Sequence, residues 1–549
     1  MIIKLNGVTL TNEPKGLKDA TFKIVRDQNL QGQFVSDLTF WGDGYQILLA
    51  AAQSGSPCTE IDVEIEHCSF IFQGRILITD IEFNHKKCTA TAAIEDNSWA
   101  ARVENNFDVP VRFNSSLSVN RQPITPYTGE TINFGGAIGT KRIFRLLPSL
   151  QYIVGYLTDG QCTITTDSFF TTNYLPNVYT ITCVRAAGNP VGTVQFQHTN
   201  IYGGTETPNG TIASGVNTND LYADRIAQIL QDVQINEQID GKRAYQVSRT
   251  GNVVTVRFFH QANLTLIDAG GTGTLTITQT QAASYGIQNV GFTNGAFLND
   301  STAAVEQMAL SLADLLSMTD LYGLKRIYRG NTLEILRESL TYDSTPAATI
   351  TDIGEVTQSF NQPIAAKAVN FSQANEQRAE GDAQRYLLVN QAGYSGLTCG
   401  EDTKSLRTIA KYAIGTDWVN NTEWNADDFW IFETSAGALV TYQLTALNIF
   451  TITNIGRLHF ASGLHPFVAK NNVFGNPDGL VFANDQIAQT DAVKIRKQSN
   501  FMHPLTEAQI NAIKADPKKA INFDGEVGYI AELEYSIKTG MTTFNLLTE

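Results

Sequence analysis

The stretch from Gly528 to Leu547 constrains this chain more than any other. Tyr529, Ala531, Leu533, Tyr535 and Ile537 alternate with Glu532, Glu534, Ser536 and Lys538. Alternation at period two puts one set on each face of an extended strand, the pattern of a half-buried antiparallel strand. Thr539-Gly540 supplies a tight turn, because glycine enters φ > 0 without steric cost. Thr542, Phe544 and Leu546 continue the apolar face on the return strand. The hairpin predicts that this end of the chain is tied into a sheet rather than trailing as a loose tail.

Composition supports more sheet around it. Charged residues make up 17% of the 549, below the usual share of about a quarter, and Thr, Asn, Gln, Ser and Gly fill the gap. Thr favours pleated surfaces, while Asn and Gly favour turns. Aromatic content of 10% is ample for several cores and argues against disorder. The length corresponds to about three to five domains. The expected fold is mainly β with a few helices, α+β and multidomain.

Thirty-nine Lys and Arg against 54 Asp and Glu leave a net charge of −15. A chain this acidic is poorly suited to track a phosphate backbone without sequence preference. Two local basic clusters stand out, Lys141/Arg142/Arg145 and Lys494/Arg496/Lys497, and each reads as a solvated strand or loop. The cysteines are Cys58, Cys68, Cys88, Cys162, Cys183 and Cys399. Few cysteines and no C-x-x-C predict no disulfide framework and a reducing compartment during folding. The start, Met1 to Asn6, has no long apolar run, so no secretory signal is expected. No stretch reaches the ~18 apolar residues of a membrane helix, and a soluble protein made in a cytoplasm is expected.

Five regions emerge along the chain. Residues 1–110 read as a β unit with strands around 21–26, 60–66, 69–74, 75–80 and 88–94, and a short helix over Tyr45–Ala52. Glu60, Asp62, Glu64 and Glu66 line one face of their strand, a solubilising face that discourages edge pairing. Residues 111–160, with Pro110, Pro123, Pro126 and Pro148 in or beside them, read as a linker with some strand. Residues 161–283 are rich in Thr, Gly and Asn and almost without charge up to Tyr222. There Tyr222, Ile226, Ile229, Leu230 and Val233 recur at helical spacing behind the candidate caps Thr218, Asn219 and Asp220. With strands at 178–184 and 252–259 this makes an inserted β–α–β module. Residues 284–350 predict a helix capped at Asp300 or Ser301, with Val305, Met308, Leu312, Leu315 and Leu316 as its buried stripe. A hairpin over 321–337 follows, turning at Gly330-Asn331. Residues 351–549 are β-rich, apart from a helix over Thr506–Lys514 that starts just after Pro504.

Motifs for chemistry are sparse. The Gly-rich loop Ala269–Thr274 lacks the Lys-Ser/Thr of a phosphate loop and reads as a turn. Gly393–Leu397 lacks the closing glycine of a nucleophile elbow. His67, Cys68, His85 and Cys88 are the one His/Cys cluster, but their spacing matches no zinc finger, and ordinary strand positions are expected. Asp417, Trp418, Trp424, Asp427, Asp428 and Trp430 could form a sugar platform or a glycosidase cleft. The plainer reading makes Trp430–Phe432 a core strand with Asp427 and Asp428 in the turn before it. Asn-x-Ser/Thr sites at Asn114, Asn209, Asn263, Asn299, Asn370 and Asn420 carry no weight without a secretory route. No catalytic, cofactor-binding or metal-binding residues are expected, and hence no cofactor.

Four stretches resemble the tail-hub or baseplate-hub structural proteins of tailed bacteriophages, especially those of Bacteroidetes hosts. They are Asn12–Lys18 running into Phe22–Asp27; Leu324–Asp343; Ile364–Phe371 with Asp417–Phe432; and Phe501–Leu547. The likeness covers both ends and the middle, about two thirds of the chain, and the 161–283 module departs from the pattern. The resemblance implies a non-enzymatic part of the virion with barrel- or sandwich-like hub domains, assembled in the host cytoplasm. It also implies a self-associated ring, a trimer, at the end of the tail tube, joined to tube and to spike or baseplate proteins. The genome would pass its lumen without specific binding. The alternatives are another tail or baseplate ring, or a receptor- or glycan-binding tail protein, with the module serving as decoration, partner contact or glycan site.

Overall fold

The closing hairpin forms, with one change to its face. In a computed structural model, strand Glu526–Ser536 pairs antiparallel with Met541–Thr548, and Gly540 takes φ 66° in the turn. The register slips between Ile530 and Glu532, so Ala531 is the extra residue of a β-bulge. Ile530, Leu533 and Tyr535 therefore face the core opposite Leu546, Phe544 and Thr542. Tyr529, expected on that face, is turned off it and meets Tyr342 edge-on at 5.2 Å.

The structure describes residues 1–25, 37–56, 59–67, 70–133, 140–172, 175, 177–199, 205–231, 245–258, 262–284, 288, 290–299, 304–318, 324–360 and 497–548. Between 361 and 496 it describes strand backbone alone. It is α+β, mainly β, with several separate sheets.

The hairpin lies inside a seven-stranded sheet. Its strands run Asp343–Ile350, Lys519–Phe523, Glu526–Ser536, Met541–Thr548, Lys497–Pro504 and Thr357–Phe360, and Thr21–Val25 joins the far half of Glu526–Ser536. That last pairing sets Phe22 opposite Tyr535 and Ile24 opposite Leu533. Over this sheet packs a second one, ordered Val8–Thr9, Ile2–Leu5, Glu60–His67, Phe70–Leu77 and Glu95–Asp96. Phe70 stacks on Phe22 at 4.7 Å and on Tyr535 at 5.1 Å. Thus one core contains both ends of the chain, from Ile3 to Ile94 and from Ala348 to Leu546. Helix Glu507–Ala515 closes it with Ile510 and Ile513; Thr506 caps the helix through a reciprocal capping box with Gln509. The carboxylate row of Glu60–His67 guards no edge, because this strand is central. Its charges face Lys4, which bridges Glu64 and Glu66, and Arg75, which reaches Glu60.

A second body contains a closed ring of five strands. Val290–Asn294 pairs with Thr140–Arg145, which pairs with Glu130–Asn133, then Ala438–Leu439, then Phe429–Ser435, and the last pairs back to Val290–Asn294. Closure removes free edges. Ile143, Phe144 and Phe292 are fully buried, and Gly291 leaves room for Ile143, which its missing Cβ would meet at 2.7 Å. Where a linker was expected, helix Leu146–Thr158 runs with Leu146, Leu150, Ile153, Val154 and Leu157 buried. Pro148 sits in its first turn, where no N–H partner is lost. The helix expected through Val305–Leu316 is broken. Val305–Gln307 is a single 3-10 turn, Ala309–Leu310 pairs with Val111–Arg112, and the helix spans Leu312–Met318. Ser311 starts it, its hydroxyl accepting from the Asp314 N–H while the Asp314 carboxylate accepts from the Ser311 N–H. Met308 and Leu310 are buried two apart as strand residues, a spacing that shares its apolar positions with a helical stripe. The expected caps Asp300 and Ser301 lie outside the described residues.

Hairpin Leu324–Arg329/Thr332–Arg337 turns at Gly330, φ 54°, and strand Thr163–Thr166 adds to it in parallel. Between 177 and 281 the chain builds a core of its own. Sheet Tyr245–Thr250, Val253–Phe258, Asn177–Arg185, Gly273–Gln281 and sheet Thr205–Glu206, Gly192–Thr199, Asn209–Ile212 cover helix Asn219–Gln231. The buried set includes Ile181, Val194, Phe196, Tyr222, Ile226, Leu230, Val254 and Val256. Thr218 caps the helix, its hydroxyl accepting from the Leu221 N–H at 3.1 Å.

Candidate functional site

The structure gives the His/Cys cluster separate partners. His67, at the end of a strand, has Nε2 3.3 Å from the Tyr535 hydroxyl and packs against that ring. His85 has Nδ1 2.9 Å from the Tyr45 hydroxyl and stacks on Phe83. Cys88 is exposed with its Sγ near the His85 carbonyl, and Cys68 lies outside the described residues. Among the described residues no three His, Cys, Asp or Glu side chains are placed to hold a metal ion. Burial pushes the thiols of Cys162 and Cys183 up to about 12, so both stay protonated and act as small apolar groups.

The basic clusters are engaged in ion pairs and a backbone contact. Arg145 reaches Glu130 at 3.0 Å, Arg142 donates to the Thr128 carbonyl at 3.0 Å, and Lys497 grips both carboxylate oxygens of Glu526 at 2.6 Å. Lys494 and Arg496 lie outside the described residues. So do Asp417, Trp418, Trp424, Asp427 and Asp428, and the Gly393–Leu397 stretch. Trp430 falls in strand Phe429–Ser435, opposite Thr293 in the closed ring.

Several polar groups that the fold buries are clamps. Arg185 ends an inward-facing series of Tyr179, Ile181 and Cys183, and is itself 9% exposed. Its guanidinium donates to the carbonyls of Val216, Thr272, Pro190 and Ala213 and lies 5.5 Å from the Tyr222 ring. The Asn219 side chain accepts from the Arg185 N–H at 2.8 Å. One residue thus holds three loops through its side chain and the start of a helix through its backbone N–H. The Gly-rich loop is part of this clamp: Gly270 and Gly271 take φ 57° and 65°, and Thr272 folds back on Ala269 at 2.6 Å. Its conformation serves the clamp, as the turn reading expects.

Around the ring body, Glu104 accepts from Arg326 through both oxygens and from the Tyr328 hydroxyl. Burial first, and then the Glu104 charge, push the Tyr328 phenol far above its ordinary value. Asp159 accepts from Ser118, Asn120 and Arg102. Glu334 takes Lys518 at 2.7 Å and Arg329 at 3.3 Å, joining the 324–337 hairpin to the terminal sheet. Burial pushes the Asp43 carboxyl up, but hydrogen bonds from Thr11 and Asn12 outweigh it and hold the group well below the usual carboxylate range. Each of these groups is satisfied by neighbours that fix loops and strands, which is chemistry of positioning. The one sequence signal for the Arg185 clamp is a charge at an inward position of an alternating strand.

No family model matches the chain, and no curated protein matches it in sequence. Two solved structures align over nearly the whole length at low score. One is the prophage MuSo2 43 kDa tail protein from Shewanella oneidensis, at TM-score 0.36 and 7% identity, covering 100% of this chain and 98% of that one. The other is the prophage tail protein gp18 from Listeria monocytogenes EGD-e, at TM-score 0.35 and 6% identity, covering 98% and 90%. The chain is similar to these two at a level too low to assign it a fold.

Proposed function

We propose that the protein is a structural component of a phage tail, the hub ring at the end of the tail tube that joins tube to central spike or baseplate. The observation that carries this reading is how the hub-like stretches come together. Thr21–Val25, in the first, and Glu526–Ser536 with Met541–Thr548, in the fourth, share one sheet. The second, Leu324–Asp343, reaches that sheet through Glu334–Lys518. The third supplies Phe429–Ser435 to the closed strand ring. Residues about 500 positions apart thus form one framework, and the Glu334–Lys518 ion pair ties the hairpin to it. Ring-forming parts need large complementary surfaces and no active centre. In this reading the copies form a trimeric ring, and the genome passes an acidic lumen that repels it.

Electron microscopy of the purified full chain tests this. A closed ring with a central opening, and gold-labelled antibody at the tube end of virions, are the expected results. A particle labelled only at peripheral fibres would replace the hub with a receptor-binding role.

A further inference from the structure

The module sheet ends on a long uncharged strand. Gly273–Gln281 is nine residues long and pairs with Asn177–Arg185; among the described residues no further strand pairs with it. Free edges expose unpaired N–H and C=O groups, which proteins blunt with short strands, charges or proline. Other edges here are blunted. Val8–Thr9 and Glu95–Asp96 are two residues each, Asp343–Ile350 holds Pro346 and slips register, and Leu324–Arg329 carries Lys325, Arg326 and Arg329. The opposite edge of the same sheet, Tyr245–Thr250, carries Arg249 paired with Asp224. Gly273–Gln281 slips register once, at Thr280 near its end, and is otherwise without these devices; no Asp, Glu, Lys or Arg occurs between Asp268 and Asp300.

Its sequence is also symmetric about Ile277: Thr274-x-Thr276-Ile277-Thr278-x-Thr280. Thr274, Thr276 and Thr278 point away from the module helix and, like Thr280 at the slip, are exposed. Across the sheet they continue into rows of the same kind. Thr278, Thr180, Thr255 and Ser248 form one, and Thr276, Thr182, Val253 and Thr250 the next.

We propose that this edge pairs with the same edge of a second copy of the chain, antiparallel and centred on Ile277. That register sets Thr276 against Thr278 of the partner subunit, within the regular part of the strand. Thr–Thr pairs suit cross-strand positions, and the two-fold makes each contact twice. Both helix-covered faces then lie on one side, and the threonine rows of an eight-stranded sheet lie on the other. The chain's net charge of −15 opposes association over most of its surface, and this uncharged edge is free of that repulsion. Such an edge contact buries less than the ~800 Å² per partner of a stable complex, so association depends on concentration. The inference does not rest on the tail reading, and a ring would use other surfaces.

Analytical ultracentrifugation of the full chain over a concentration series gives the test, with circular dichroism to confirm folding of each variant. The wild type is expected to double in mass as concentration rises, from monomer to dimer or from ring to paired rings. Thr276→Lys with Thr278→Lys sets lysine against lysine and should abolish dimerisation. Thr276→Glu with Thr278→Lys sets opposite charges together in this register alone and should restore it. Ile277→Cys should form an intermolecular disulfide on mild oxidation, because directly opposed Cα atoms lie about 4.5–5.5 Å apart. A wild type whose mass never doubles over the series, or a doubling that survives the double lysine variant, overturns the proposal. Loss of the dimer with rings intact in the microscope would leave the tail reading untouched.

Discussion

The terminal core and the module core are built from opposite kinds of contact. The terminal core joins Phe22 to Tyr535 and Ile24 to Leu533, across the whole chain. The module core comes from residues between Tyr179 and Ile277 alone, around one helix. A core of local contacts can form as soon as its own segment exists. A core of distant contacts must first close a long loop, which costs entropy before any contact repays it. The molecule should therefore behave as two cooperative units of different dependence on the rest of the chain.

Deleting Met541–Glu549 is the harshest test of that difference. It removes a strand held between Lys497–Pro504 and Glu526–Ser536. The terminal unit should then be lost, and with it the proposed ring, while limited proteolysis still yields a protected fragment covering roughly the module. A uniformly degraded chain would break the comparison. Point variants sharpen it. Phe544 is fully buried and stacks on Phe501 at 4.7 Å, and Phe544→Ala should destabilise the terminal transition by about 3–5 kcal/mol. Ile226→Ala should cost the module transition about 2–5 kcal/mol and leave the other in place. Calorimetry that shows both changes moving one common transition would show a single unit.

Smaller effects separate the polar contacts. Arg185→Ala strips four carbonyls of a charged donor and should cost the module about 2–3 kcal/mol; Arg185→Lys should recover little, because an ammonium lacks the planar fork. Lys518→Met opens the Glu334 bridge between hairpin and terminal sheet and should cost about 1 kcal/mol by urea titration. The mildest is the pH response of the terminal unit. Partial burial, and then the N-terminal charge, hold His67 below its ordinary pKa. The unfolded chain therefore takes up that proton first as pH falls. This contribution to stability is present above about 6.5 and is lost below it. His67→Gln should flatten the slope in that window, and an unchanged slope would assign it elsewhere.

Local chemistry made several elements legible in the sequence. The closing hairpin follows from alternation and Gly540, the capped helix from Thr506 and Gln509, and the module helix from Tyr222, Ile226 and Leu230. Two misreadings share a cause. Pro148 looked like a linker residue although a helix tolerates it in the first turn, and Met308 and Leu310 fitted a helical stripe although they alternate in a strand. The bulge at Ala531 turned Tyr529 off the core face, and a one-residue slip is invisible to a period of two. What no local pattern carries is partnership, whether of Thr21–Val25 with Glu526–Ser536 or of Arg185 with four carbonyls. For the same reason the candidate site was the least legible part. Its groups become meaningful only once loops from distant segments meet.

The pairing of Thr21–Val25 with Glu526–Ser536 also sets a timetable for synthesis. About 500 residues separate the two strands, and ribosomes add ~5–20 residues per second. The early strand, with Phe22 and Ile24, therefore waits ~25–100 s for its mate. During that interval its apolar face is a substrate for chaperones and a hazard in a crowded polysome. The module, finished midway, would already be folded on the nascent chain.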